Sequence, residues 1–182
     1  MAGSTRASGT YALAPLQSGM LYHSLRAPGS GVDIEQLVCT LPEPLDADAM
    51  ERAWRIVVAR HDVLRTCFRW EGLESPRQQV AEAVELEVER ADWRSVPAAE
   101  RESRFAGFLR RDRARGFDLA TPPLLRVTLQ RWAEAEYRLV WTFHHALLDG
   151  RSFPVLLREV FAAYDAILAG GAPVLEPAAP YR

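Results

Sequence analysis

The stretch that decides the fold is "LRVTLQRWAEAEYRLVWTFHH", residues 125–145. Leu125, Val127 and Leu129 alternate with Arg126, Thr128 and Gln130, and Tyr137, Leu139, Trp141 and Phe143 repeat the pattern further on. Side chains two apart share a face of an extended chain, so each half reads as a strand with one face turned to a core. The short "AEAE" of residues 133–136 between them predicts a hairpin. A sheet that is apolar on one face must be covered.

Three helical patterns supply the cover. Asp48 and Glu51 offer a capping box, and Met50, Ala53, Trp54, Val57, Val58 and His61 then form one apolar stripe of a helix over 46–61. Residues 97–115, "PAAERESRFAGFLRRDRAR", predict a polar-faced surface helix ending at Gly116. Phe153, Leu156, Leu157, Val160, Phe161, Tyr164 and Leu168 recur at helical spacing before Gly170 and Gly171, which predicts a last helix over 152–169. Upstream, "PLQSGMLYHSL" reads as a short helix opened by Pro15, and "IEQLVCTL" (34–41) as a strand between turn residues. "LRTCFRWEG" (64–72), "QQVAE" (78–82) and "VELEVERADW" (84–93) read as further strands. The expected architecture is an α/β (α+β) sandwich, a mixed and largely antiparallel sheet packed by helices. The small, polar residues 1–10 read as a disordered leader, 11–170 as the folded unit, and the Pro- and Ala-rich 171–182 as a linker.

Composition narrows the chemistry. The 182 residues carry a net charge of -2, with 48% hydrophobic and 25% charged residues, which excludes a basic field for nucleic acid. All 22 basic residues are arginine. Without lysine there is no Schiff base and no Walker-type phosphate loop. No run reaches the length of a membrane span, and the opening lacks the apolar core of a signal peptide. Cys39 and Cys67 lie in separate strands without metal-ligand spacing, which reads as two free thiols in a reducing cytoplasm.

The hairpin ends in two of the chain's four histidines, continuing as "FHHALLDGRSF" (143–153). In a strand that runs through both, His145 shares the face of Leu139, Trp141 and Phe143, and His144 that of Val140 and Thr142. Rings on opposite faces do not chelate one ion, and no third ligand is spaced to help, so no metal is expected. Gly150 permits a sharp bend before Ser152 and Pro154 start the last helix. A strand-end histidine beside a helix N-terminus is a general-base position; a satisfied core histidine is the competing reading.

A resemblance tips that balance. "HHALLDG" (144–150) resembles the HHxxxDG signature of the condensation domains of nonribosomal peptide synthetases, members of the chloramphenicol-acetyltransferase-like superfamily. "LAPLQSGMLYHSL" (13–25) resembles their N-terminal motif, and "RHDVLRTCF" (60–68) their RHxxLRTxF motif, in the same order. The resemblance runs from about Tyr11 to Arg182.

It implies a lobe of chloramphenicol-acetyltransferase-like fold that faces a second, C-terminal lobe across a cleft. Donor and acceptor peptidyl carrier proteins would bring their phosphopantetheine arms into that cleft, with no cofactor attached to this chain, in a bacterial cytoplasm. His145 would be the catalytic residue, as general base or as a hydrogen-bonding group that positions the amine, and His144 a packing residue. The Gly150 backbone N–H is a candidate oxyanion donor. Asp149 would form a structural ion pair with Arg65, or else with Arg60. Gln17, Met20, Arg151 and Ser152 would line the channel or pack. His61 reads as a core histidine, and "RRDRARG" (110–116) as a solvated helix end rather than a carrier contact. Arg151 departs from the family, where an aromatic residue often follows the DG pair. An epimerization or ester-forming domain of the same superfamily, or a noncatalytic platform for carrier proteins, are the alternatives; one lobe alone is expected to be inactive.

Overall fold

A computed structural model describes residues 7–176. The hairpin forms as its alternation requires. Strands β6 (Leu125–Ala133) and β7 (Glu136–His144) pair antiparallel, with Leu125 opposite Phe143, Val127 opposite Trp141 and Leu129 opposite Leu139. Strand β2 (Ile34–Leu41) pairs antiparallel with the other edge of β7, setting Ile34 against His144 and Leu37 against Trp141. Strand β5 (Val88–Asp92) adds to β6 in parallel, giving a four-stranded sheet in the order β2-β7-β6-β5.

Helices cover both faces of this sheet. On one face, α2 (Ala47–Arg60) and α4 (Ser152–Leu168) close the main core: Trp54, Val57, Leu156 and Val160 pack with Leu139, Trp141 and Phe143. Trp54 and Trp141 meet edge to face at 5.0 Å, an arrangement that adds about 1 kcal/mol to their burial. On the other face, α3 (Ala98–Arg115) places Phe105 against Trp132 and Val140. Arg138 lies 3.5 Å over the Trp132 ring and closes this smaller core.

A second, three-stranded sheet stands beside the first, in the order β1-β4-β3: β1 (Ala7–Ala12), β4 (Arg77–Ala81) and β3 (Thr66–Arg69), all antiparallel. Helix α1 (Pro15–Arg26) follows β1 and buries only Gln17 and Leu21.

The structure corrects several expectations. There are two sheets where one was expected, because β3 and β4 pair with β1 instead of joining the hairpin. The last four residues of the expected leader, 7–10, belong to β1; residues 1–6, and 177–182 of the linker, lie outside the described residues. The start of the expected strand over 64–72 is a 3-10 turn, Asp62–Arg65. The expected strand over 84–93 narrows to β5. Asp46 rather than Asp48 caps α2, its carboxylate accepting the Ala49 N–H at 2.9 Å. Among the described residues no helix is long and apolar enough to cross a membrane, and Cys39 and Cys67 are free thiols.

Candidate active site

Strand β7 ends at His144, and the chain turns at His145. The alternation that put the two rings on opposite faces therefore stops one residue short. His144 is 1% exposed. Its Nδ1 accepts the N–H of Ala146 at 3.2 Å, so the proton sits on Nε2, 2.9 Å from the Ser24 hydroxyl. That hydroxyl donates to the Asp33 carboxylate at 3.2 Å. Phe68 meets the ring edge to face. Burial pushes the His144 imidazole down to about 4; the Asp33 carboxylate pulls the other way, and His145 adds to the lowering. His144 is thus a neutral, hydrogen-bonded structural residue.

His145 is half-buried. Its backbone N–H is held by the Asp33 carbonyl at 2.8 Å. The carbonyl of Ala146 accepts Gln17 Nε2 at 3.0 Å, and the Leu147 N–H returns to the His144 carbonyl. Its ring Nδ1 is buried and has no hydrogen-bond partner among the described residues. A backbone fixed on every side carries an imidazole with bonding capacity left over, which suits a base or a hydrogen-bonding group. A cleft of about 310 Å³ opens on the His144 side of the motif, between Trp70, Phe117 and the α1–β2 loop, and His145 does not line it.

Asp149 corrects the expected ion pair. Its carboxylate is exposed and accepts from the N–H groups of Arg151 and Ser152 and from the Ser152 hydroxyl at 2.7 Å. These bonds close the turn into α4 and hold the carboxyl below its ordinary range. Arg65 lies elsewhere: 8% exposed, it pairs with Asp62 at 2.7 Å and donates to the Ala81 and Glu82 carbonyls. Arg60 pairs with Glu159 of α4 at 3.2 Å, and His61, expected in an apolar core, meets the same carboxylate at 2.6 Å. The RHxxLRTxF segment therefore joins α2 to α4 and to the small sheet, not to the Asp149 turn.

Gly150 departs from expectation as well. Its φ is not in the left-handed region, and a Cβ added there would meet nothing within 4 Å. Nothing among the described residues requires a glycine there. Gln17 is buried and bonded to Gln78 and Ala146, Met20 is half-buried against the core, and Arg151 is exposed.

Sequence reasoning missed Ser24 and Asp33. One signal was present: Gln17, Leu21 and Ser24 fall at i, i+4 and i+7, so two polar residues share the inward stripe of α1. Asp33, in the loop before β2, carried no such mark.

Two sheets, a helix layer on each face of the larger one, and a histidine at a strand end fit the lobe of chloramphenicol-acetyltransferase-like fold that the motifs imply. The chain belongs to the condensation domain family, whose model matches residues 7–182. Linear gramicidin synthase subunits C and B of Brevibacillus parabrevis are 45% and 48% identical over 94% and 88% of this chain. The chain spans only 2% and 3% of those proteins. The starter condensation domain of the rhizomide synthetase RzmA superposes with a TM-score of 0.82 at 23% identity, over 92% of this chain and 41% of that one. The first condensation domain of the calcium-dependent antibiotic synthetase, solved with a substrate analogue, superposes at 0.84 and 18% identity, over 93% and 41%.

Proposed function

We infer that this chain is the histidine-bearing lobe of a nonribosomal peptide synthetase condensation domain. The reaction joins a donor acyl or peptidyl thioester to the amine of an acceptor aminoacyl thioester, both carried by partner proteins on phosphopantetheine arms. The observation that carries the reading is His145, whose backbone is clamped while its buried Nδ1 has no partner among the described residues. The relatives named above are peptide synthetases, which supports the substrate class.

In this reaction the amine nitrogen attacks the thioester carbon, a C–N bond forms and the C–S bond breaks. One proton leaves the nitrogen, and one is taken up by the departing thiolate. His145 serves the first transfer, as base or by orienting the amine. His144 is excluded from that role, since its Nδ1 accepts a backbone N–H and its Nε2–H is directed at Ser24.

The test is dipeptidyl transfer between two loaded carrier proteins by a complete domain that carries these residues as its first lobe. His145→Ala lowers turnover by about 10²- to 10⁴-fold without lowering the melting temperature. Undiminished turnover would refute the assignment.

A further inference from the structure

A catalytic imidazole needs its ring held as well as its pKa placed. In a Ser-His-Asp site an acid on the second ring nitrogen does the holding. Among the described residues His145 has no such acid, and its Nδ1 is buried without a partner. What those residues do hold is the backbone that carries it. That backbone is held at both of the amides that flank the His145 Cα. The N–H before it goes to the Asp33 carbonyl at 2.8 Å, and the N–H after it goes to His144 Nδ1 at 3.2 Å.

We propose that Ser24 and Asp33 are positioning residues for His145, acting through a relay that runs from the Asp33 carboxylate through the Ser24 hydroxyl and the His144 ring to the Ala146 N–H. The proposal rests on the reading of His145 given above. Every link has one polarity. Ala146 donates to Nδ1, Nε2–H donates to the Ser24 oxygen, and the Ser24 hydroxyl donates to Asp33 Oδ2. Asp33 appears at both ends, because its carbonyl takes the His145 N–H while its carboxylate ends the relay. One residue of the α1–β2 loop therefore fixes the His145 main chain directly, and through α1 it fixes the ring next door.

The depth of His144 makes the relay hard to replace. With the ring 1% exposed, loss of the Ser24 hydroxyl takes away the acceptor of its Nε2–H at the wall of the cleft that Ser24, Asp33 and His144 line. The ring then moves toward any acceptor it can find, and the Ala146 N–H loses its partner. Displacing a reacting group by about 1 Å can cost about 10²-fold in rate.

The experiment uses the complete domain with loaded carrier proteins and 15N-histidine NMR of the same samples. Ser24→Ala and Asp33→Ala lower kcat by about 10- to 100-fold, with KM for both loaded carriers unchanged. The parent shows an exchange-protected Nε2–H for His144; Ser24→Ala loses that protection. Ser24→Thr, which keeps the hydroxyl, retains the signal and most of the turnover. Melting curves separate folding from positioning; Asp33→Asn, whose side-chain amide oxygen still accepts from Ser24, retains the signal and most of the turnover, and Ser24→Ala carries the test if Asp33→Ala does not fold. Full kcat in Ser24→Ala with the protected signal lost would overturn the relay, as would a protected signal that survives in Ser24→Ala. His145→Ala separates the two ideas: if it abolishes turnover while the Ser24 and Asp33 variants stay fully active, the relay fails and the site stands. If His145→Ala remains fully active, the site reading has failed, and the His144 signal alone decides the relay.

Discussion

Asp112 of α3 and Arg126 of β6 form an ion pair at 2.5 Å with side chains only 6% and 5% exposed. The carboxylate also accepts from Thr142 and, at 2.7 Å, from Gln36, while Arg126 donates to the Gly116 carbonyl and lies 4.5 Å over Phe117. One acid thus ties α3 to three strands of the large sheet. Burial alone would raise its pKa, but the Arg126 and Thr142 hydrogen bonds and the Arg126 charge outweigh that and lower it.

Removing one partner of such a pair leaves the other charge buried without compensation. Asp112→Ala therefore destabilises the lobe by about 3–5 kcal/mol in urea unfolding, with Thr142 and Gln36 losing an acceptor as well. Because the folded carboxyl is depressed, its contribution is complete above the ordinary carboxylate pKa and is lost as pH falls below it. A parent-like midpoint for Asp112→Ala would show that the network is relaxed by water.

His144 titrates with the same sign for a different reason, since folding favours its neutral form. Its folded pKa of about 4 lies below the ordinary 6.5, so the unfolded chain binds more protons between those values. Stability is complete above about pH 6.5 and falls as pH drops toward 4, by at most about 3 kcal/mol from this residue. In an NMR titration the His144 ring stays neutral at about pH 5, where a free imidazole is mostly charged. A midpoint for His144 near 6.5 would contradict the burial argument.

The Asp149 turn yields a different expectation from the ion pair that the motif implied. Because the carboxylate caps the turn into α4 and is exposed, Asp149→Ala lowers the melting temperature less than Asp112→Ala does, and Asp149→Asn less again. Gly150→Ala leaves the melting temperature of the lobe unchanged, since the added methyl meets nothing and φ is not left-handed. Thermal melts of the four variants check the order; a drop for Asp149→Ala as large as that of Asp112→Ala would restore a buried partner for Asp149.

What the sequence made legible were the elements whose burial is periodic. The hairpin, β2, α2, α3 and α4 each carry a stripe or an alternation that only one secondary structure can bury. Strand β1 carries none: "ASGTYA" is small and polar, and it becomes a strand because β4 offers it an edge. At the site, the histidine motif was legible as a mark of the family. The partners of Asp149 and Arg65 were not, because arginine reaches several acceptors and the fold puts Asp62 and two carbonyls nearer to Arg65. Ser24 shares the inward stripe of α1 with Gln17 and Leu21, but Asp33 lies in the loop that follows, and a contact across a loop leaves no period to read.

The last prediction concerns a lobe acting alone. His145 sits at the end of β7 with its main chain fixed, yet amide formation needs two thioesters held together in near-attack geometry. Effective concentration falls sharply when reactants are not both held, and a thioester open to water is also lost to hydrolysis. The solved condensation domains that superpose on this chain extend well beyond it, with this lobe matching 41% of their length. The 182 residues by themselves should therefore fold, with a cooperative melt, but give no dipeptide from two loaded carrier proteins. The complete domain should turn over in the same assay. Dipeptide formed by the lobe at the complete domain's rate would mean that one wall suffices to align both arms, and that the geometry around His145 is the whole of the active site.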